Sequence, residues 1–296
     1  MILFNTIVEL QKHLNSIRKP SKIVGLVPTM GALHKGHVSL VEAAKAQCDI
    51  IVASIFVNPT QFNDLNDLSN YPKTMDADCQ LLQKSGCDIL FAPEIDEMYS
   101  TQELNLKRQQ LEDRSWTNGI HVDFGLLDKV MEGAHRPGHF NGVAQVVSKL
   151  FRIVKPDMAY FGQKDFQQLA IIKSMVNQLA LPVEIIMCPI VREPDGLAMS
   201  SRNMRLTVEE RKTASLISKI LFKIKELSKT KTISELKSFA EAQIGTEPKM
   251  RLDYFEIVNA ETLQPITDFS QADSATACIA VVLETVRLID NVILKE

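Results

Sequence analysis

Between Ile23 and Pro93 the chain alternates short apolar, β-rich runs with stretches of helical period. Ile23 to Val27 and Ile50 to Val57 are runs of the kind that parallel strands need when both faces of a sheet are covered. Val38 to Ala46, between them, reads as a helix. A second helix opens at Thr74, with Asp76 and Asp78 in its first turn, Leu81 and Leu82 on its core side and Gly86 as its stop. Ile89 to Ala92 is a third strand, closed by Pro93. Strands that alternate with helices over short connections are expected to run parallel. The expected fold is therefore α/β, a doubly wound, Rossmann-like parallel sheet with ligands bound beyond the carboxyl ends of its strands.

Flanking segments extend this pattern. Ile7, Leu10, Leu14 and Ile17 repeat at helical spacing after an Asn5 cap, and Pro20 stops them. Val143, Val146, Val147, Leu150, Phe151 and Val154 form a helical stripe, followed by a strand at Met158 to Phe161, a helix from Phe166 to Leu179 and a strand at Val183 to Cys188. Ser100 to Asp128 is polar and fits either a loop or a helical excursion ending in a short strand near His121 to Phe124. The alternation then breaks. Helices near Val208 to Leu227 and Ile233 to Ile244 precede strands near Leu252 to Val258, Ala277 to Glu284 and Val286 to Asp290, the order of a smaller α+β domain. Residues 1–188 are thus expected to form the larger domain and residues 189–296 the smaller one.

A length of 296 residues suits two domains, and a hydrophobic fraction of 45% can fill their cores. The net charge of −3, with no long Lys/Arg block, argues against nucleic acid and an anionic membrane as partners. Met1 to Asn5 opens no secretion signal and no apolar run reaches the ~18 residues of a membrane span, so a cytoplasmic protein is expected. The five cysteines are scattered, without a CxxC or Cys/His cluster, and most read as small buried hydrophobes.

Five polar clusters fall at expected strand ends. In the first, Pro28 to His37, a Gly-bearing turn feeds a helix whose first-turn N–H groups suit a phosphate, and His34 and His37 share one face of it. The second is Asn58-Pro59-Thr60-Gln61-Phe62, where uncharged amides can orient carboxylates, hydroxyls or amines. The third, Glu132 to Val143, suits equally a loop closing over a ligand and a plain capping loop. The fourth, Phe161 to Gln168, places Lys164 where it can neutralise phosphate charge and Gly162 where backbone can approach a nucleotide. In the fifth, Met199 to Asn203, two hydroxyls and a guanidinium suit a polyphosphate, although a simple helix cap would use the same residues. Walker, GxGxxG, HExxH and GxSxG motifs are absent.

Taken in order, PTMGALHKGH, FVNPTQF, YPKT, GAHRPGHFNGV, FGQKDFQQL and MSSRN closely resemble the pantoate–β-alanine ligase family of the nucleotidyltransferase-like superfamily. The resemblance covers most of residues 23–205 and is looser over 100–128 and 206–296. It implies an AMP-forming carbon–nitrogen ligase in which pantoate attacks ATP to give pantoyl adenylate and pyrophosphate, and β-alanine then displaces AMP to give pantothenate, the precursor of coenzyme A. Carried over by position, it places Met30, Gly31, Ala32, Leu33, His34, Lys35, Gly36 and His37 on ATP, with His34 and His37 on the phosphates and His37 in the proton-donor position. Gly162, Gln163, Lys164 and Asp165 are implied as the second ATP segment, Val191 as an adenine contact, and Met199, Ser200, Ser201 and Arg202 as a phosphate clamp beginning the second domain. Gln61 and Gln168 match pantoate ligands and Asn58 an active-site amide. Mg²⁺ is implied as a cofactor held mainly by ATP oxygens and water, its protein ligands unassigned; Asp78 fits either an outer ligand or a helix N-terminal charge. A homodimer is implied as well. The rival readings are an adenylyltransferase for a phosphorylated acceptor, which calls for more basic residues than Asn58, Gln61 and Gln168 supply, an aminoacyl-tRNA synthetase, and a catalytically silent ATP-binding regulator.

Overall fold

The structure, a computed structural model, describes residues 1–63, 65–103 and 122–295. Of the span Ser100 to Asp128, expected as a loop or a helical excursion ending in a short strand near His121 to Phe124, residues 104–121 lie outside the described residues, and Val122 to Phe124 form no strand. The described residues divide into two compact units. One comprises Met1–Phe124, Gly133–Gly162 and Gln168–Cys188, and the other Gly125–Glu132, Gln163–Gln167 and Pro189–Glu296.

The first unit is built on the expected doubly wound sheet. β1 (Ile2–Phe4), β2 (Val24–Thr29), β3 (Ile50–Ile55), β4 (Ile89–Phe91), β5 (Met158–Gly162) and β6 (Glu184–Cys188) lie in the order β1-β4-β3-β2-β5-β6, every pair parallel. Central β2 pairs with β3 along its whole length, Val24 opposite Ile50 through Thr29 opposite Ile55. Its apolar residues explain the position, because Val24, Leu26 and Val27 are fully buried and alternate between faces. On one face Val27 packs with Leu40, Val41 and Ala44 of the helix Lys35–Lys45 and Leu82 of the helix Met75–Ser85. Beyond β3 and β4 the chain returns to the other edge of β2, where Gly25 lies opposite Met158 and Leu26 opposite Ala159. The topological switch point therefore falls between the carboxyl ends of β2 and β5, where doubly wound sheets bind ligands.

The second unit contains the antiparallel sheet β7 (Met250–Asn259), β8 (Ala275–Leu283) and β9 (Val286–Lys295), in that order. Its core joins Ile257, Ile279 and Leu288 to Ile217, Leu221 and Ile224 of the helix Leu216–Leu227 and Leu236 and Ala240 of the helix Ile233–Ile244. The α/β sheet and the smaller α+β unit are thus both present.

Details differ from the sequence reading. The edge strand β1 was not expected, because three residues are too few to show a period. Thr6, not Asn5, caps the helix Ile7–Ile17, accepting a hydrogen bond from the Glu9 N–H. The single helix expected over 208–227 is two, Val208–Ala214 and Leu216–Leu227, joined at buried Ser215, whose hydroxyl donates to the Lys212 carbonyl in competition with the backbone. β9 runs to Lys295, well past the end expected at Asp290.

Leu26→Ala removes a fully buried side chain from the middle of the sheet and is expected to cost about 3 kcal/mol of stability, seen as a lower urea midpoint. A loss under about 1 kcal/mol would show that β2 is not the packing centre of its unit.

Candidate active site

β2 hands the chain to a turn in two successive left-handed residues, Gly31 (φ +83°) and Ala32 (φ +50°). A Cβ at position 31 would lie 3.1 Å from Ile55 and 3.2 Å from the Asp78 carboxylate, so glycine suits both the angle and the space. Ala32 has no such licence and costs about 1 kcal/mol in that conformation. The compensation comes from Asp78, only 2% exposed, whose carboxylate accepts the Ala32 and Leu33 N–H groups at 2.9 and 2.8 Å and the Thr74 hydroxyl at 3.0 Å. Asp78 therefore shapes the turn from the first turn of its own helix.

The turn delivers His34 as the N-cap of the helix Lys35–Lys45. His34 Nδ1 accepts the Gly36 N–H at 3.1 Å, and His37 Nδ1 accepts the His34 N–H at 3.3 Å, a capping box made of two imidazoles. Their ring centroids are 4.1 Å apart. With both Nδ1 atoms acting as acceptors, the proton of each neutral ring sits on Nε2. The pair thus presents two Nε2–H donors at a helix N-terminus, a combination suited to an anion.

The second cluster follows β3. Asn58, 1% exposed, caps the turn Pro59–Gln61: its Oδ1 accepts from the Thr60 N–H, the Thr60 hydroxyl and the Tyr99 hydroxyl, and its Nδ2 donates to the Gly142 carbonyl and to Gln61 Oε1. Asn58 is thereby a brace for Gln61. Gln61 in turn donates from Nε2 to the Met30 sulfur at 2.7 Å, which brings two expected site residues together. The Gln61 carbonyl accepts from Arg136 at 3.4 Å and lies 2.8 Å from His139 Nδ1. Far from forming an open loop, the third cluster therefore includes the helix Met131–His135 and the start of the helix His139–Val154, and it buttresses the second cluster. The approach depends on Gly142, where a Cβ would fall 2.4 Å from the Thr60 carbonyl oxygen. Gln168 is half-buried on the first turn of the helix Phe166–Gln178.

The remaining expected residues lie on two segments. A Cβ at Gly162, the last residue of β5, would meet nothing within 4 Å, so open space adjoins the backbone there. Gln163, Lys164 and Asp165 form a single 3₁₀ turn, with Lys164 Nζ 3.8 Å from the Asp165 carboxylate. In the second unit the Met199 N–H donates to the Val191 carbonyl at 3.0 Å, and Arg192 bridges Ala198, so Val191 and Met199 face each other across a hairpin that turns at Gly196 (φ +92°). Ser200 caps the turn Ser201–Arg205 by accepting the Arg202 N–H; Ser201 is buried and Arg202 half-buried.

Burial raises all five cysteines above the usual thiol value, Cys87 to about 11. Among the described residues no group of three or more His, Cys, Asp or Glu could hold a metal ion, and no helix is long and apolar enough to cross a membrane.

The family model for pantoate-beta-alanine ligase matches residues 2–293. The chain belongs to the pantoate–β-alanine ligase family. It is 52% identical over 293 residues to the pantothenate synthetase of Phocaeicola vulgatus, covering 99% of each chain, and 51% identical over 296 residues to that of Bacteroides fragilis, covering all of both. The crystal structure of the Thermus thermophilus pantothenate synthetase superposes with a TM-score of 0.89 at 40% identity over the whole of both chains. The Francisella tularensis pantoate–β-alanine ligase, solved in complex with beta-gamma ATP and β-alanine, superposes with a TM-score of 0.77 at 33% identity, over 99% of this chain and 98% of that one.

Within this ligase, sequence reasoning missed the bracing residues Tyr99, Arg136 and His139 and the turn-shaping part of Asp78. Arg136 and His139 lie in the third cluster, whose density of Gly, Pro, His and Arg was visible, but no sequence signal names the distant group that each of the four holds.

Gly142→Ala is expected to displace the turn at 59–61 and lower kcat/KM by about tenfold to a hundredfold, the usual cost of a misplacement near 1 Å. Unchanged kinetics would remove Gly142 from the brace. Alkylation of the native enzyme by iodoacetamide at neutral pH should leave turnover intact. Because the unfolded Cys87 thiol ionises near 9.0 and the folded one near 11, its contribution to stability is whole below pH 9 and is lost as the pH rises through about 11, a loss that Cys87→Ala should abolish in alkaline unfolding curves.

Proposed function

We propose that this ligase works in two steps without a covalent enzyme intermediate. A pantoate carboxylate oxygen bonds to the α-phosphorus of ATP as the bond from that phosphorus to the bridging oxygen breaks and pyrophosphate leaves. The β-alanine amine then attacks the acyl carbon of pantoyl adenylate, loses a proton and releases AMP. The observation that carries this reading is the imidazole capping box: two Nε2–H donors fixed at a helix N-terminus beside the switch point of the sheet.

The work asked of the protein is positioning and charge stabilisation. His34 and His37 donate from Nε2 to phosphate oxygens. In this reading His37 acts chiefly as a hydrogen-bond donor, since its Nδ1 is spent on the cap. Residues Met30 to Gly36 offer backbone N–H groups to the nucleotide, and Gly162 to Asp165 form its second segment, with Lys164 drawing charge from the phosphates. Val191 contacts adenine, and Met199, Ser200, Ser201 and Arg202 clamp the phosphates. Gln61 and Gln168 hold pantoate, Gln61 kept in place by Asn58. The ligands present in the Francisella complex support ATP and β-alanine as substrates here. Mg²⁺ fits as an ion carried by the nucleotide, because no carboxylate cluster among the described residues would hold it. When bound it would neutralise phosphate charge. A cytoplasmic homodimer completes the proposal, supported by the family resemblance.

Pyrophosphate release from ATP and Mg²⁺ should require pantoate, and pantothenate and AMP should form only after β-alanine is added. Pyrophosphate release that ignores pantoate would sink the assignment. His37→Ala and Lys164→Ala are each expected to lower kcat by about a hundredfold or more, the scale of losing one transition-state donor. Near-normal turnover in either variant would remove that residue from the mechanism.

A further inference from the structure

Lys164 sits in a three-residue 3₁₀ turn that runs directly into the helix Phe166–Gln178. Side-chain support for its backbone comes from β9, about 130 residues later in the chain. Asn291, 1% exposed, donates from Nδ2 to the carbonyls of Gln163 and Lys164, each at 3.0 Å, and accepts the Gln163 side-chain amide on Oδ1 at 3.1 Å. Only an amide has two donors and an acceptor in this arrangement, and all are engaged. The next residue down the strand does parallel work. Asp290, 4% exposed, takes a two-pronged ion pair from Arg192 at 2.6 and 3.0 Å, and Arg192 also donates to the Gly196 carbonyl, tying down the hairpin that carries Val191 and Met199.

We propose that Asn291 is a positioning residue for the adenylation step, setting the backbone on which Lys164 reaches the phosphates. This rests on the reading of Lys164 given above. A buried amide spent on the two carbonyls that flank the Lys164 Cα fixes the place of that atom, and a lysine whose root shifts carries its ammonium off target. Fold maintenance alone needs no such arrangement, since the core of this unit is apolar.

The test is a double-mutant cycle in the full-length enzyme, read as pantoate-dependent pyrophosphate release with unfolding midpoints in parallel. Asn291→Asp keeps the shape but removes both donors. It is expected to lower kcat by about tenfold or more while the KM for pantoate stays within about threefold. In a Lys164→Ala background the same substitution should change kcat by less than about twofold, because the group through which it acts is gone. Val292→Ala, a core change on the same strand, should lower the unfolding midpoint and leave kcat intact. If Asn291→Asp does not fold, Asn291→Ser, which keeps one donor, enters the same cycle with a smaller expected loss. Equal losses in the two backgrounds, or wild-type turnover in the foldable Asn291 variant, would overturn the inference. Wild-type turnover in Lys164→Ala alone would instead bring down the reading of Lys164, and this inference with it, a failure visible before any Asn291 variant is made.

Discussion

The parallel pairing of β2 on both of its edges is the constraint from which the rest of the first unit follows. Because β3 and β5 flank it in the same direction, the segments after all three strands leave from one edge of the sheet. The chain needs no long-range design to gather polar groups there; parallel topology does so wherever a loop begins. What the sequence must add is a backbone that presents those groups correctly. At Gly31 and Ala32 that required a left-handed pair, and the strain at Ala32 is held by a buried carboxylate from the helix after the next strand.

The same division of labour recurs. The proposed site residues sit in short turns or at a helix start, and other side chains, or one another, hold them. His34 and His37 hold each other, Asn58 holds Gln61, and the carbonyl of Gln61 is met by Arg136 and His139. Net energies of such hydrogen bonds are about 1 kcal/mol each, yet leaving a buried carbonyl or amide unpartnered costs more. The braces are therefore selective for geometry more than they are large contributors to stability.

This explains what could be read from the chain alone. β2, β3 and β4 were legible because buried parallel strands are apolar runs, and the long helices because their apolar stripes are regular. β1 and the break at Ser215 were not, being set by three residues and by one hydroxyl. The clusters around His34, Gln61, Lys164 and Arg202 stood out because Gly, Pro, His and amides crowd into few positions. Tyr99, Asn291 and the part Asp78 plays in the turn did not, for each acts on a group far away in sequence, and a polar residue inside an apolar strand such as Leu288-Ile289-Asp290-Asn291-Val292 gives no hint of its partner. Ending β9 at Asp290 hid Asn291 altogether.

The contact between Gln61 and Met30 has a further consequence. A thioether is a weak and polarisable acceptor, so the Gln61 N–H is oriented by the sulfur without being strongly committed to it. Any oxygen that arrives with a full lone pair can take that proton at little cost, and the methionine, being flexible and apolar, loses almost nothing when released. In the proposed mechanism Met30 is a placeholder: it keeps the Gln61 amide turned in one direction and yields to a stronger acceptor. An aspartate or serine in its place would hold the amide more tightly and make every arriving ligand displace a better bond.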